Sequence, residues 1–179
     1  MKLGYIIISP EPNIGGLKNT IRSIRNNYED SNIICIVNKN IKKEQYSEYK
    51  DICEVHKGKD SIVSLINKGF EKTKIEWNLL LIEGSRITKN IEKKYSNWIK
   101  SCNDVLYPLI TDYDSKGYPI HIYNEFYNCT LNGICINRNF YKKVGNLSEN
   151  PLEISRRFWS LEAIENKANF KSILGIRIC

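Results

Sequence analysis

A single carboxylate stands at the end of an apolar run near the middle of the chain. The run is Leu79-Leu80-Leu81-Ile82, and Glu83 follows it directly, before Gly84-Ser85-Arg86. Open α/β sheets present metal and phosphate ligands at the carboxyl ends of buried strands. Three interpretations are open. Glu83 is a ligand of a metal ion, or the basic Arg86 is a ligand of a phosphate group, or Glu83 only ends a strand.

Four more residues stand where predicted elements begin or end. Pro10 follows the first apolar run and Asn38 the second, Asn67 lies within a helical pattern, and Glu153 opens the last predicted helix. Each also has a purely structural interpretation. Pro10 and Asn38 are common in turns, and Asn67 is suited to a local hydrogen bond. An acid such as Glu153 is favoured in the first turn of any helix by the helix dipole.

Other patterns that resemble metal sites are incomplete. Asp112-Tyr113-Asp114 continues as Ser115-Lys116-Gly117, but a calcium loop would need an oxygen ligand at Lys116 and a glutamate at Tyr123. We therefore interpret this segment as the turn of a hairpin. His56 and His121 are the only two histidines, and neither belongs to a catalytic-triad or zinc pattern.

The elements that must position these residues alternate between buried strands and amphipathic helices. Strands are predicted at Leu3–Ile8, Ile33–Val37, Ile52–Val55, Trp77–Ile82, Val105–Thr111, Ile120–Tyr123, Leu131–Ile136 and Ile173–Ile178. Helical patterns are predicted at Leu17–Asn27, Ile62–Phe70 (with Asp60-Ser61 as its N-cap), Ile91–Ile99 and Leu152–Glu165. Phe140–Leu147 is predicted as a short helix or turn, and Lys42–Lys50 as a charged stretch that is helical or irregular. The order predicts an α/β fold whose mainly parallel central sheet is flanked by helices and followed by a mixed C-terminal half. We expect one domain over residues 1–179, with halves at about 1–100 and about 101–179.

Composition and charge restrict the class of protein. The content of 41% hydrophobic and 26% charged residues is ordinary for a globular domain. The net charge of +7 comes from short, scattered basic groups, which favours solvated surfaces over a nucleic-acid footprint and suits an anionic substrate. The six cysteines lack zinc spacing, and no apolar run approaches the length of a membrane span. We expect a reduced, cytoplasmic protein without a nucleic-acid partner or a membrane span.

Several segments occur in an order and spacing that are shared with a known enzyme family. They are Ser9-Pro10-Glu11-Pro12-Asn13, Ile66-Asn67-Lys68-Gly69-Phe70, Ile82-Glu83-Gly84-Ser85, Asn132–Arg138, Phe140–Leu147 and the helix that Glu153 opens. In this arrangement the chain resembles the GT-A-fold glycosyltransferases of the nucleotide-diphospho-sugar transferase superfamily, most of all the inverting family 2. The resemblance extends from about Leu3 to Gly175, and it implies the GT-A fold.

The resemblance implies a nucleotide-binding role for four residues. Pro10 and Asn38 would shape the pocket for the base and ribose. Asn67 stands in the family's Ala-Arg-Asn-x-Gly signature, of which this chain keeps the Asn and Gly and lacks the Arg. Arg86 would contact the diphosphate, as basic side chains do in metal-independent enzymes.

The resemblance also implies a metal site and a general base. Glu83 and Ser85 occupy the positions of the family's Asp-x-Asp motif, which binds Mg²⁺ or Mn²⁺ and the donor diphosphate; the motif is degenerate here because its second carboxylate is a serine. Glu153 matches the acid that deprotonates the acceptor hydroxyl, and Glu149 is the reserve for this role.

The function implied is transfer of a sugar, with inversion, from a nucleotide sugar to an unknown acceptor that is a glycan, a protein or a lipid-linked molecule. The degenerate motif leaves a second class open, a catalytically inactive GT-A module that binds a nucleotide sugar or glycan or acts as an interaction domain. A third class is a nucleotidyltransferase of similar architecture. That class needs a basic, Gly-rich loop after the first strand, and Ser9–Leu17 supplies glycines without that basic signature.

Overall fold

A computed structural model of the chain describes residues 2–11, 15–87, 89–101, 104–108, 110–113, 119–123 and 132–173. The described strands are β1 (Gly4–Ser9), β2 (Asn32–Asn38), β3 (Glu54–Gly58), β4 (Trp77–Ile82), β5 (Val105–Pro108), β6 (Ile110–Tyr113), β7 (Pro119–Tyr123), β8 (Cys135–Asn137) and β9 (Phe170–Ile173). The described helices are α1 (Gly15–Arg25), α2 (Lys43–Tyr46), α3 (Ile62–Lys72), α4 (Ile91–Ile99), α5 (Arg138–Val144) and α6 (Leu152–Glu165).

A seven-stranded sheet with the order β3-β2-β1-β4-β8-β5-β9 forms the centre of the described structure. Strands β3, β2, β1 and β4 are parallel, whereas β8 runs antiparallel to both β4 and β5. Strand β9 is parallel to β5, and β6 and β7 form a separate antiparallel pair. The predicted α/β class, with a parallel first half and a mixed second half, is therefore confirmed.

Helices cover both faces of the sheet because its central strands are apolar on both sides. Strand β1 is buried at all six positions, so its residues alternate between two cores. Ile7 and Leu81 face the core that contains residues of α1 and α4. Ile6 and Leu80 face the core that contains residues of α3, α5 and α6. None of the helices in the described ranges is both long and apolar enough to cross a membrane.

Some predicted boundaries are corrected by the structure. The predicted strand Val105–Thr111 is two strands, β5 and β6, which belong to different sheets. The third strand lies at Glu54–Gly58 instead of Ile52–Val55, and Ile52 is exposed. The segment Lys42–Lys50, predicted as helical or irregular, contains the short α2 and a 3₁₀ turn, which agrees with the prediction. The last strand lies at Phe170–Ile173, and the rest of the predicted Ile173–Ile178 strand lies outside the described residues.

Candidate functional site at the carboxyl ends of β1 and β4

The strand order reverses between β1 and β4. From β1 the chain moves outwards to β2 and β3, and it then returns to the other side of β1 to form β4. Open α/β sheets bind ligands in the crevice at this kind of point, because the two connecting loops diverge there. Ser9 ends β1 and Glu83 follows β4. The Glu83 amide donates a hydrogen bond of 2.9 Å to the Ile8 carbonyl, which continues the pairing of the two strands.

The Glu83 carboxyl group is enclosed at this point. Its two oxygens and the Ser9 hydroxyl are buried, and no described residue makes a hydrogen bond of good geometry with any of the three atoms. Burial raises the pKa of Glu83, although the Ser9 hydroxyl and the backbone amide of Glu11 lie close enough to act in the opposite direction. Burial thus makes the neutral form of this acid, which donates a hydrogen bond, easier to populate than it is in water.

The first turn of α1 packs directly on the loop after β4. A Cβ atom at Gly16 would lie 2.7 Å from the Gly84 amide nitrogen, so only glycine allows this approach. Gly84 itself has a φ of +89°, a conformation that L-amino acids with side chains rarely adopt. The positive end of the α1 dipole therefore lies beside Glu83 and Gly84, where it favours a bound anion.

Ser85 holds the loop after β4 to the segment before β8. Its hydroxyl lies 2.5 Å from the Ile82 carbonyl oxygen and 3.0 Å from Asn132 Oδ1, and the residue is buried. Asn132 Oδ1 also accepts a hydrogen bond of 3.1 Å from the Ile82 amide. We call the region around the carboxyl ends of β1 and β4 the β1–β4 corner. Asn132 is a positioning residue for this corner, a role that the sequence did not identify. Arg86, which follows Ser85, is exposed to solvent.

These residues do not form a site of the kind that a divalent cation prefers. No group of three or more His, Cys, Asp or Glu side chains in the described part of the chain could hold a metal ion. Ser85 is buried and its hydroxyl is already bonded within the protein, so it does not add a ligand beside Glu83. Hard cations need several oxygen ligands. The metal roles of Glu83 and Ser85 therefore stay predictions.

Pro10 and Asn38 lie together, as their predicted common role requires. The Asn38 side-chain amide donates a hydrogen bond of 3.0 Å to the Pro10 carbonyl. Asn38 Oδ1 accepts one of 2.9 Å from the Asn40 amide. Asn38 is buried, so its side chain connects the loops after β1 and β2. Contact of these two residues with a nucleotide stays a prediction.

Asn67 makes its hydrogen bonds to α5 and to the turn that follows it. Its Oδ1 accepts hydrogen bonds from the Tyr141 hydroxyl (2.5 Å) and the Leu147 amide (3.0 Å), and its Nδ2 donates one of 2.8 Å to the Leu147 carbonyl. The side chain therefore fastens the turn after α5 to α3. The structure gives Asn67 a positioning role for that turn, and a nucleotide contact stays a prediction.

For Glu153, the predicted general base, the structure describes the position of the backbone only. Glu153 is the second residue of α6, and its side chain lies outside the described part of the structure. The reserve acid Glu149 is exposed, and its carboxylate lies 3.3 Å from Lys59 Nζ.

The strands β6 and β7 pair as the predicted hairpin, and its turn at residues 114–118 lies outside the described residues.

A groove of about 600 Å³ opens beside α3, at the ends of β2 and β3. Its lining includes five lysines, Lys39, Lys57, Lys59, Lys68 and Lys142. Three of them have acidic partners, with Lys39 paired to Asp60 (2.7 Å) and Lys68 to Glu71 (2.9 Å) in addition to the Lys59–Glu149 pair. The sequence did not reveal this groove, because its lysines are spread over a hundred residues and only folding brings them together.

Comparison with solved structures identifies the fold. S. aureus TarS 1–349 superposes with a TM-score of 0.73 at 12% identity, over 98% of this chain and 58% of that one. The complex of TarS 1–349 with UDP-GlcNAc gives a TM-score of 0.70 at 14% identity, over 98% and 56%. The 4-diphosphocytidyl-2C-methyl-D-erythritol synthase from Anaerococcus prevotii gives 0.63 at 14% identity, over 97% and 87%.

The chain spans less than three fifths of the length of these TarS structures. No protein-family model matches the sequence, and no curated protein matches it either. The fold seen in the structure is that of the nucleotide-diphospho-sugar transferases, the GT-A fold.

Proposed function

We propose that the chain is a transferase that binds a nucleotide sugar at the carboxyl ends of β1 and β4 and transfers the sugar to an acceptor hydroxyl. The observation that carries this proposal is the buried, unpaired Glu83 carboxyl group beside the first turn of α1, at the point where the strand order reverses. The structural similarity to TarS, which was solved with UDP and with UDP-GlcNAc, supports it.

The charges at the corner indicate how a diphosphate would bind. An ionised Glu83 would repel a diphosphate, whereas a neutral Glu83 donates a hydrogen bond to a phosphate or sugar oxygen. The positive end of α1 and the exposed Arg86 side chain then supply the compensating charge. We therefore propose metal-independent binding, in which Pro10 and Asn38 hold the base and ribose.

Transfer needs a base for the acceptor hydroxyl, and we assign this role to Glu153. An acid in the first turn of α6 is fixed in position by the helix, and its carboxylate form is favoured by the helix dipole. The chain's own residues thereby perform two tasks. The corner at Glu83 holds the leaving diphosphate, and Glu153 accepts the proton of the attacking hydroxyl.

Titration calorimetry with UDP-, GDP- and dTDP-sugars tests the binding step, with Mn²⁺ and with a chelator. We expect binding in both conditions, and binding that tightens as the pH falls because the neutral form of Glu83 donates the hydrogen bond. Glu83→Gln keeps a neutral hydrogen-bonding group and should bind like the wild type, whereas Glu83→Ala should bind about tenfold more weakly, the cost of one good hydrogen bond. The control variant Glu29→Gln changes an exposed acid distant in sequence from the corner.

Two results would contradict this proposal. If no donor gives heat or a thermal shift, the chain does not bind nucleotide sugars. If Glu83→Gln abolishes binding and Mn²⁺ is required, Glu83 acts as a metal ligand instead. If Glu153→Gln retains sugar transfer or donor hydrolysis, Glu153 is not the general base.

Nucleotidyl transfer is a second candidate, favoured by the 87% coverage of the A. prevotii synthase. Release of pyrophosphate from CTP or UTP in the presence of a sugar phosphate or polyol phosphate would identify it. Release of a nucleoside diphosphate from a nucleotide sugar identifies glycosyl transfer, so the product distinguishes the two.

A further inference from the structure

Helix α6 has apolar residues on two opposite faces. One face is buried against the core, where Trp159 and Ala163 are 3% and 0% exposed and the Trp159 indole donates a 2.9 Å hydrogen bond to the Gly145 carbonyl. The other face carries four large apolar side chains that are about half exposed: Ile154 (46%), Phe158 (53%), Leu161 (56%) and Ile164 (51%). A helix with a single buried face would carry polar residues here.

The four exposed residues form a continuous stripe. Their spacings of four, three and three residues keep them on one side of a helix that turns by 100° per residue. Four large side chains that are half exposed present roughly 400 Å² of apolar surface, which is the size of the largest patch on a typical monomer, and such patches are often functional. We call this surface, Ile154, Phe158, Leu161 and Ile164, the α6 stripe.

We propose that the α6 stripe is the contact surface of a homodimer, in which α6 of a second copy packs antiparallel about a two-fold axis. The stripe is nearly symmetric about its centre. An antiparallel partner centred between Trp159 and Ser160 places Phe158 level with Leu161 of the second copy, and Ile154 within one residue of the level of Ile164. A two-fold interface requires such self-complementarity, because the same patch occurs on both sides.

The charges on α6 select the antiparallel arrangement. The exposed Arg157 lies in the N-terminal half of the helix, whereas Glu162 and Glu165, also exposed, lie in the C-terminal half. An antiparallel pair brings the basic half of one helix beside the acidic half of the other. A parallel pair would place like charges together, which destabilises an interface.

The size of the surface sets the expected affinity. Two stripes bury roughly 800 Å², and the flanking polar residues raise the total to about 1,000 Å², the lower limit for specific interfaces. We therefore expect a dissociation constant on the order of micromolar. This inference uses no part of the proposed function, although Ile154 adjoins the predicted base Glu153 and the interface would lie close to it.

Sedimentation equilibrium of the full chain over a range of micromolar concentrations tests the dimer. We expect a reversible monomer–dimer equilibrium that Phe158→Glu and Leu161→Glu each weaken at least tenfold. The control Ile52→Glu changes an apolar side chain that is 41% exposed elsewhere on the surface, and it should leave the equilibrium unchanged. Arg157→Glu should also weaken the dimer, and Arg157→Glu combined with Glu162→Arg and Glu165→Arg should restore it. Circular dichroism confirms that each variant is folded.

A monomer at all concentrations would overturn the proposal, as would a dimer that both stripe variants retain. Mass that increases without a plateau at two copies would also overturn it, since that result indicates non-specific association. If Ile52→Glu abolishes the dimer as the stripe variants do, the α6 stripe is not the specific contact surface and the proposal is wrong.

The side chains of Cys35 and Cys53 lie close together, and they support a second inference that is independent of the α6 stripe. The Cys35 and Cys53 sulfur atoms lie 3.4 Å apart, although the residues are separated by 18 positions and belong to β2 and to the segment before β3. Cys35 is 0% and Cys53 is 8% exposed. Cys53 donates a hydrogen bond of 3.3 Å to the Tyr49 carbonyl. The Arg25 guanidinium approaches the same place, because it donates hydrogen bonds to the carbonyls of Ser31 and Ile52.

We infer that Cys35 and Cys53 form a reversible dithiol–disulfide site for low-molecular-weight disulfides such as glutathione disulfide. The Cys53 thiolate attacks the reagent disulfide and releases one thiol, and the Cys35 thiolate then attacks the Cys53 sulfur and releases the second. The protein loses two protons and two electrons, and the reagent is reduced to two thiols. The sulfur atoms must approach from 3.4 Å to about 2.0 Å.

The electrostatics favour Cys53 as the attacking group. The hydrogen bond from Cys35 and the charge of Arg25 lower the pKa of Cys53 in spite of its burial. Burial raises the pKa of Cys35, so Cys35 is assigned the second attack. The thiolate is the reactive form in disulfide exchange.

Mass spectrometry after incubation with glutathione disulfide tests this site. We expect peptide mapping to find Cys35 bridged to Cys53, with the protein lighter by two hydrogens and reduced again by dithiothreitol. Cys35→Ser should trap a glutathione adduct on Cys53, whereas the control Cys135→Ser, which removes another buried thiol, should form the bridge normally. A wild-type chain with stable glutathione adducts and no bridge would overturn the inference. So would a folded chain that leaves both cysteines unmodified while the urea-unfolded chain reacts.

Discussion

The substitution Glu83→Gln tests whether the carboxyl group at the β1–β4 corner is neutral in the folded protein. Burial raises the pKa of Glu83 above its ordinary value of 4.5, so the folded chain holds this proton more tightly than the unfolded chain. Stability from such a group is complete below the unfolded pKa and is lost as the pH rises through the folded pKa. Above that range the wild type retains a buried charge that glutamine lacks.

The expected gain from the substitution is small. Both carboxyl oxygens are buried without a hydrogen bond of good geometry, and leaving a buried polar group unpaired costs about 1 kcal/mol at the low end of the usual range. For a chain of this length, that gain raises Tm by about 1–4 °C. Glu83→Gln should therefore be more stable than the wild type at pH 8 and nearly equal to it at pH 4.5.

Urea unfolding of both proteins at several values between pH 4.5 and pH 8 measures this difference. Glu29→Gln, which changes an exposed acid, is the matched control and should show no such trend. A wild type that is more stable than Glu83→Gln at pH 8 would refute the reasoning. That result would mean that the ionised carboxylate makes favourable bonds in the folded state.

Two further substitutions test contacts that hold the site together. Gly16→Ala places a methyl group 2.7 Å from the Gly84 amide and should destabilise the protein by about 1–3 kcal/mol in urea unfolding. Asn19→Ala, on an exposed position of the same helix, should be neutral or slightly stabilising, and an equal loss in both variants would contradict the close approach. Asn67→Ala removes both hydrogen bonds to Leu147 and should cost about 2–3 kcal/mol by the same measurement. A cost near zero would show that the turn after α5 is held by other contacts.

Local sequence patterns were sufficient for most of the described elements. Ser61, part of the predicted N-cap of α3, accepts a hydrogen bond of 3.1 Å from the Ser64 amide. The strand predicted at Trp77–Ile82 and the helix predicted at Leu152–Glu165 have the observed bounds. Apolar runs and caps act between residues close in sequence, so they can be interpreted without knowledge of the fold.

The sequence also indicated that Glu83 stands at the end of a buried strand, but only the tertiary structure decided its environment. Its enclosure depends on α1, which lies about 70 residues earlier, and on the close approach of Gly16 to Gly84. Likewise Asn67 is bonded to Leu147, 80 residues later, so its role in holding the turn after α5 became visible only in the folded chain. Burial and hydrogen-bond partners of this kind arise from contacts between distant segments, which no local pattern encodes.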